Sequence, residues 1–428
     1  MESSEKPQAL EYILILSGEE ILAGRNQDRH LQYISSSLTP LGLLCRRCEV
    51  IGDKKIYLTK YIRNALTEVK LVIVTGGLGP TVDDVSREAI AEATGIVLKE
   101  HSTALAMLEE RFRSFGRKMT ENNLCQALVP VSGTFFPNPN GTAPGLVYDK
   151  GKKIVIALPG PPRELIPMVK TNLIPFLQGR LKLKRPASSR SFHFCCIGES
   201  NVDQIVREKL GGETDLTVSL LAQLGLVNLT LSLPDDNQES QERLSRYADT
   251  IRGELGTFLY SETDETLEQT VGELLKQRLD TLSVAESCTG GLLGEKITSV
   301  PGASIYFLGG VISYSNRAKE THLKVNTETL RIHGAVSRET ACEMARGIQS
   351  TFQSRWGVAI TGIAGPEGGT PEKPVGTVWI AVSDPNGKAF PFRIQFPGDR
   401  DAIRHRSCIF ALDQLRRLLL KIDPHSTS

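Results

Sequence analysis

Two short apolar runs constrain this chain more than any other feature. Tyr12-Ile13-Leu14-Ile15-Leu16 stops at Ser17-Gly18, and Leu71-Val72-Ile73-Val74-Thr75 stops at Gly76-Gly77. Neither run alternates apolar with polar residues, so neither fits a strand with one wet face. Near-continuous runs of this length are strands buried on both sides, the condition of a parallel sheet covered by helices. Helical stretches lie between such runs over the first ~170 residues, giving an α/β layer fold. In that architecture the loops leaving the carboxyl ends of the strands carry the chemistry.

The chain has 428 residues, more than one core can hold, and two or three domains follow. The stretch LKLKRPASSRSF turns basic and Ser/Pro-bearing, and is expected to be a linker near 180–190. Beyond it FHFCCIG reads as a strand holding Cys195-Cys196. SNVDQIVREKL then reads as a helix and VSLLAQLGLVNLTLSL as a strand pair, together a small α+β module. Ser261-Glu262-Thr263-Asp264 reads as a helix cap ahead of Leu267, Val271, Leu274 and Leu275. The expected plan is multi-domain α/β. Two three-layer α/β domains at 8–173 and 262–421 are joined by a small α+β, KH-like connector at 174–261. Leu146-Val147-Tyr148 and Ile154–Leu158 should pair as a hairpin, and the tail after Ile422 should fray.

Fifty Lys and Arg against 49 Asp and Glu leave a net charge of +1, which gives no field for nucleic acid or a membrane surface. The opening MESSEKPQALEYILILSGEE has an apolar run too short to span a bilayer, and it lacks the basic start and cleavage site of a leader. Eight scattered cysteines suit reduced thiols, and the expected location is the cytoplasm. Cys45 and Cys48 have C-x-x-C spacing without a second ligand pair, and no two histidines share an H-x-x-x-H spacing.

The densest motif of the first domain is TGGLGPTVDD, Thr75 to Asp84. Gly76, Gly77 and Gly79 let backbone N–H groups approach an anion, Thr81 adds a hydroxyl, and Asp83 and Asp84 suit a divalent ion on a phosphate. The plainer reading is a tight loop with Asp84 or Ser86 capping a helix. Three further loops join it: Gly18-Glu19-Glu20, Asn140–Gly145 with Thr142, and Leu158–Glu164 with Pro159, Gly160 and Glu164. With GRKMTENNLCQAL, Gly116 to Leu128, these resemble the molybdopterin-binding-type domain that opens CinA-family proteins. The resemblance implies a phosphoanhydride pocket and a metal-dependent ADP-ribose pyrophosphatase, using magnesium or a similar ion together with potassium. The sequence departs from the family's G-T-E and N-T-N, reading Gly18-Glu19-Glu20 and Asp28-Arg29-His30. Glu20 keeps the carboxylate, while Glu19, Asp28 and His30 change the pocket's charge and hydrogen bonding.

In the last domain ESCTGG, from Glu286, ends an apolar run and opens a helical stretch. GGVISYSNRAK, HGAVSRET, TGIAGPEGGTPEKPVGTVW and PGDRDAIRHR follow in order. Hydrolysing a carboxamide needs a nucleophile, a base that later protonates ammonia, and an oxyanion site. Ser287 at a helix start is the first-choice nucleophile, with the N–H groups of Thr289, Gly290 and Gly291 as oxyanion donors. Cys288 is the rival nucleophile, and a capped turn is the plainer reading of the same corner. Histidine occurs in these motifs only as His333 and, in the helical stretch of the last, His405, so Lys319, desolvated in a cleft, is the better base, with Tyr314 beside it. Glu286 would either orient Lys319 or cap the helix. Gly365 offers backbone N–H groups to a phosphate. Arg400 and Arg404, four apart on one helix face, offer forks to it or pair with Asp399 and Asp401.

These five motifs over residues 262–420 resemble the CinA C-terminal domain, the nicotinamide mononucleotide deamidase family. The resemblance implies conversion of nicotinamide mononucleotide to nicotinic acid mononucleotide and ammonia, without a cofactor, in a homodimer acting on small nucleotides. The competing reading is a regulatory protein that binds a nucleotide or pterin in an inactive N-terminal pocket. A pterin adenylyltransferase is the third reading, disfavoured by the TENN segment and the second domain.

Overall fold

The computed structural model describes residues 10–25, 28–181 and 188–423 of the chain. The linker expected near 180–190 falls mainly on residues 182–187, and the tail mainly on 424–428, outside the described residues. Two compact units divide the chain between Ala187 and Ser188.

In the first unit β1 (Leu10–Ser17), α1 (Glu19–Leu22) and α2 (His30–Leu38) lead to β2 (Leu43–Ile51), then α3 (Lys55–Glu68) to β3 (Leu71–Thr75). After these come α4 (Ser86–Thr94), β4 (Leu98–Glu100), α5 (Ser102–Ser114), β5 (Leu128–Pro130) and β6 (Gly133–Phe136). The expected hairpin is β7 (Gly145–Asp149) with β8 (Ile154–Leu158), followed by α6 (Pro162–Met168) and α7 (Ile174–Leu181).

The main sheet runs β2-β1-β3-β8-β7-β6. β2, β1, β3 and β8 are parallel, while β7 and β6 run against them. Successive side chains of a strand face opposite ways. Ile13, Ile15, Val72 and Val74 accordingly pack with Leu58, Ile62 and Ile90 on one face. Tyr12, Leu14, Leu16 and Ile73 pack with Ile34, Leu38 and Met168 on the other. Both faces are covered, which is why the runs do not alternate. Each such aliphatic side chain contributes roughly 1.5–3 kcal/mol when fully buried. The connection direction reverses at β1, and a crevice opens beyond the carboxyl ends of β1, β3 and β8.

The second unit opens with β9 (Ser188–Cys195), α8 (Glu199–Leu210), β10 (Thr217–Gln223), β11 (Leu226–Leu233), α9 (Gln238–Leu255) and β12 (Leu259–Ser261). Their sheet, β10-β11-β9-β12, is antiparallel and buries Phe192, Phe194 and Leu231 against Val202, Leu244 and Ile251. Cys195 closes β9 as expected, but Cys196 lies just beyond it in a left-handed conformation, φ 60°.

Next come α10 (Leu267–Arg278), β13 (Leu282–Glu286), α11 (Leu292–Thr298), β14 (Phe307–Ile312), α12 (Asn316–Leu323), α13 (Thr327–His333) and α14 (Arg338–Phe352). β15 (Trp356–Gly362), β16 (Thr377–Ser383), β17 (Ala389–Gln395) and α15 (Arg400–Leu420) complete the unit. The sheet β14-β13-β15-β16-β17 is mixed: the first three strands are parallel and the last two antiparallel. The cap of α10 differs from expectation. Thr266 accepts from the Gln269 N–H and the Gln269 side chain from the Thr266 N–H, a capping box five residues beyond Ser261.

Of the connector expected at 174–261, α7 clusters with the first unit and residues 188–261 cluster with the C-terminal elements. Buried Asp413 of α15 accepts from the Cys195 thiol at 3.2 Å, from Arg416 at 2.7 Å and from Arg417 at 2.8 Å. Arg416 also donates to the Thr257 and Leu259 carbonyls, binding the small sheet to α15. Among the described residues no helix is long and apolar enough to cross a membrane.

Candidate functional sites

The corner between β13 and α11 is built by its central strand. β13 pairs with β14 on one side and β15 on the other, so its carboxyl end is flanked by two more strand ends. The Ser287 N–H donates to the Ile360 carbonyl at 3.0 Å and the Ser313 N–H to the Glu286 carbonyl at 2.7 Å, extending both ladders past the strands. Ser287 is thereby held at the top of the sheet, 8% exposed.

Lys319 enters from α12, whose cap is the Ser315 hydroxyl on the Ala318 N–H at 3.1 Å. The amine is 1% exposed. Nζ donates to the Ser313 carbonyl at 2.7 Å and stands 3.1 Å from Ser287 Oγ. Burial pulls the amine down to about 8, opposed only weakly by the Cys288 thiol. The same burial pushes Cys288 up to about 12, and its side chain packs into the apolar core. A thiol so raised is inert at neutral pH.

Not every expected role at this corner matches the geometry. The Gly290 N–H donates to the Ser287 carbonyl and the Gly291 N–H to the Glu286 carboxylate, so neither is open to an oxyanion. Glu286 does not reach Lys319. Its carboxylate caps α11, taking the N–H groups of Gly291, Leu293 and Gly294 at 3.0, 3.0 and 2.8 Å. The amides of Cys288 and Thr289 make no backbone hydrogen bond among the described residues. Among the described residues the buried Thr289 hydroxyl also lacks a partner.

α15 brings the two arginines over this corner, starting at its Asp399 cap on the Ala402 N–H at 2.8 Å. Arg404 grips the Thr289 carbonyl with Nε and Nη2 at 3.2 and 2.8 Å and meets Asp401 at 3.3 Å. Arg400 donates to the Gly365 carbonyl at 2.6 Å and to the Tyr314 hydroxyl at 3.3 Å, and Tyr314 is 64% exposed. Gly365 thus meets the arginine through its carbonyl oxygen, where an N–H toward phosphate was expected. Ser287, Lys319, Thr289, Gly365, Arg400, Arg404 and Tyr314 are gathered within one site. Ser313, unnamed from the sequence though inside a quoted motif, joins them through its carbonyl.

The first unit carries a separate cavity of about 760 Å³ beyond β1, β3 and β8. Glu20, Gly76, Gly77, Gly79, Asp83, Asp84, Thr142, Pro159, Gly160 and Glu164 line it, as do Asp28 and His30. Thr81 is exposed and not part of this lining; it donates its N–H to Asp84 at 2.9 Å, with its hydroxyl also on that carboxylate. Gly76 sits at φ 89°, where an added Cβ would overlap the Ser17 carbonyl, so only glycine brings β3 this close to β1. Asp53 went unnamed in the sequence reading. It holds the Ser17 hydroxyl at 2.8 Å and the Glu19 N–H at 2.9 Å, and its signal was weaker than elsewhere, since only Val50-Ile51 precede Gly52 after the polar Arg46, Arg47 and Glu49. His30 Nδ1 lies 2.9 Å from Thr75 Oγ1, and Gln126 reaches Thr142 Oγ1 at 3.1 Å.

Fold and sites together define a two-site α/β protein. Residues 13–179 match the model of the probable molybdopterin binding domain and residues 264–419 that of the CinA C-terminal domain. A CinA-like protein of Gloeothece citriformis is 41% identical over 414 residues, covering 96% of this chain and 99% of the relative. Another of Kosmotoga olearia is 40% identical over 411 residues, covering 96% and 99%. The competence/damage inducible protein CihA from Agrobacterium tumefaciens is 39% identical in its crystal structure, covering 36% of this chain and 93% of that one, at a TM-score of 0.35. The chain belongs to the CinA family.

Proposed function

We propose that the C-terminal site hydrolyses the carboxamide of nicotinamide mononucleotide, giving nicotinic acid mononucleotide and ammonia. The observation that carries this reading is the buried Lys319 amine, 3.1 Å from Ser287 Oγ and drawn down to about 8 by burial. Neutral Nζ accepts the Ser287 proton as Oγ bonds to the carboxamide carbon. The amides of Cys288 and Thr289 are the donors for the resulting oxyanion. As the C–N bond breaks, Lys319 returns the proton to the leaving ammonia. Water, deprotonated by the same amine, then releases the acid and restores Ser287. Arg400, with N–H groups beyond the two that meet Gly365 and Tyr314, is the fork for the substrate phosphate. Incubation with nicotinamide mononucleotide should release ammonia and the acid nucleotide in equal amounts; an inert protein would refute this reading.

For the N-terminal cavity the supported activity is a metal-dependent pyrophosphatase on ADP-ribose. The oxygen donors fit a hard divalent ion. Magnesium takes one or two carboxylates and completes its shell with phosphate and water, and Glu20 and Asp83 accept no hydrogen bond among the described residues. Bound there, such an ion would neutralise phosphate charge. The second reading is binding without turnover. It is favoured by the engagement of Asp28, Asp53, Asp84 and Glu164 with protein donors. Among the described residues, the three-ligand group close enough to chelate a metal is Cys195, Cys196 and Asp413, outside this cavity. Release of AMP from ADP-ribose with magnesium decides between the two readings.

A further inference from the structure

The proposed nucleophile and base come from different elements, yet both are tied to one residue that does not itself react. Glu286 precedes Ser287 in the chain, and it is 2% exposed with its carboxylate on three amides at the start of α11. Those bonds span Gly291 to Gly294, so the turn carrying Ser287, Cys288 and Thr289 leaves Glu286 through the main chain and is fastened at its far end by the same residue's side chain. The main chain of Glu286 does a second job. Its carbonyl accepts the Ser313 N–H at 2.7 Å and the Ser313 hydroxyl at 3.3 Å. The Ser313 carbonyl in turn accepts from Lys319 Nζ at 2.7 Å. From Lys319 back to Ser287 there is thus a closed loop: Nζ, Ser313, Glu286, Ser287 Oγ.

The geometry points to Glu286 as the positioning residue that sets the separation of Ser287 Oγ and Lys319 Nζ. A carboxylate is the group this place requires. Three N–H donors converge on its two oxygens, and no proton is needed on either. Glutamine would turn an NH₂ toward one of those donors. Aspartate keeps the charge but falls one methylene short. This inference rests on the Ser–Lys reading above.

The test uses the full chain and two variants, Glu286→Gln and Glu286→Asp, with two readouts. One is steady-state deamidation of nicotinamide mononucleotide. The other is the rate at which phenylmethanesulfonyl fluoride labels Ser287: the Oγ–S bond forms, the S–F bond breaks, Lys319 takes the proton and fluoride leaves. In each variant kcat should fall at least tenfold with KM within twofold, and the labelling rate should fall by a similar factor while thermal melting shows a folded protein. Folded variants with kcat and labelling within twofold of wild type would overturn the inference, leaving Glu286 a helix cap. Loss of folding in both variants would overturn it too, assigning Glu286 to stability alone. If the wild type is labelled at Ser287 but releases no ammonia, the substrate reading fails, and the labelling rates alone decide on Glu286. A wild type that neither labels nor turns over would sink both.

Discussion

At the scale of single residues, the Lys319 amine is buried with no carboxylate paired to it among the described residues. A lysine whose folded pKa lies near 8 is protonated below that value and cannot take a proton from Ser287. Deamidation should therefore rise with pH, with kcat/KM climbing tenfold per unit below about 8 and levelling above it. A profile flat from pH 6 to 9 would exclude Lys319 as the base. The same burial has a thermodynamic side. Below pH 8 the folded state holds a charged amine away from water, and the cost is relieved as pH rises from about 8 toward the unfolded value near 10.4. Lys319→Met should then raise stability by about 1–3 kcal/mol at neutral pH while abolishing turnover, measured by denaturant melts. Its advantage should shrink at pH 10. Ser287 and Lys319 could be singled out from residue type and motif. Their 3.1 Å separation could not, because they lie 32 positions apart with α11 and β14 between them. The open amides were misassigned for a related reason: Glu286 folds back onto Gly291, Leu293 and Gly294, which no linear spacing discloses.

At the scale of elements, the site depends on how closely α12 lies to α14. Gly347 faces the end of α12, and a Cβ there would overlap the Leu323 carbonyl. In an open helix Gly→Ala gains roughly 0.5–1 kcal/mol. Here Gly347→Ala should instead cost about 1–3 kcal/mol and, by shifting α12, lower kcat along with stability. A variant more stable than wild type would show that the two helices can separate without loss. Asp399, which caps α15, should matter less: Asp399→Ala removes about 1 kcal/mol and loosens the first turn that carries Arg400 and Arg404. KM should rise more than kcat falls. Elements of this kind were mostly legible, because buried strands leave unbroken apolar runs and helices leave a period of 3.6. Their ends were less so. The cap of α10 is Thr266 and not the earlier Ser261, since both stretches offer hydroxyls and only the turn geometry selects one.

At the scale of the whole molecule, the chain holds two chemically different sites in two units. One is an acidic cavity with glycine-rich walls, the other a desolvated amine beside a hydroxyl. Asp83→Asn, or removal of divalent ions with EDTA, should abolish any ADP-ribose cleavage and leave ammonia release within twofold of wild type. Loss of both activities together would mean the sites are coupled. The cavity's glycines and carboxylates were visible as loops after apolar runs, whereas Asp53, Gln126 and the seat of His30 beside Thr75 appear only once strands β1 and β3 are adjacent. The most direct test of the central claim is ammonia release from nicotinamide mononucleotide by wild type, Ser287→Ala and Cys288→Ser at pH 8. With Ser287 as nucleophile, Ser287→Ala should lose at least about a thousandfold in kcat while Cys288→Ser stays within fivefold of wild type. Full activity in Ser287→Ala with loss in Cys288→Ser would contradict it, placing the nucleophile on the thiol.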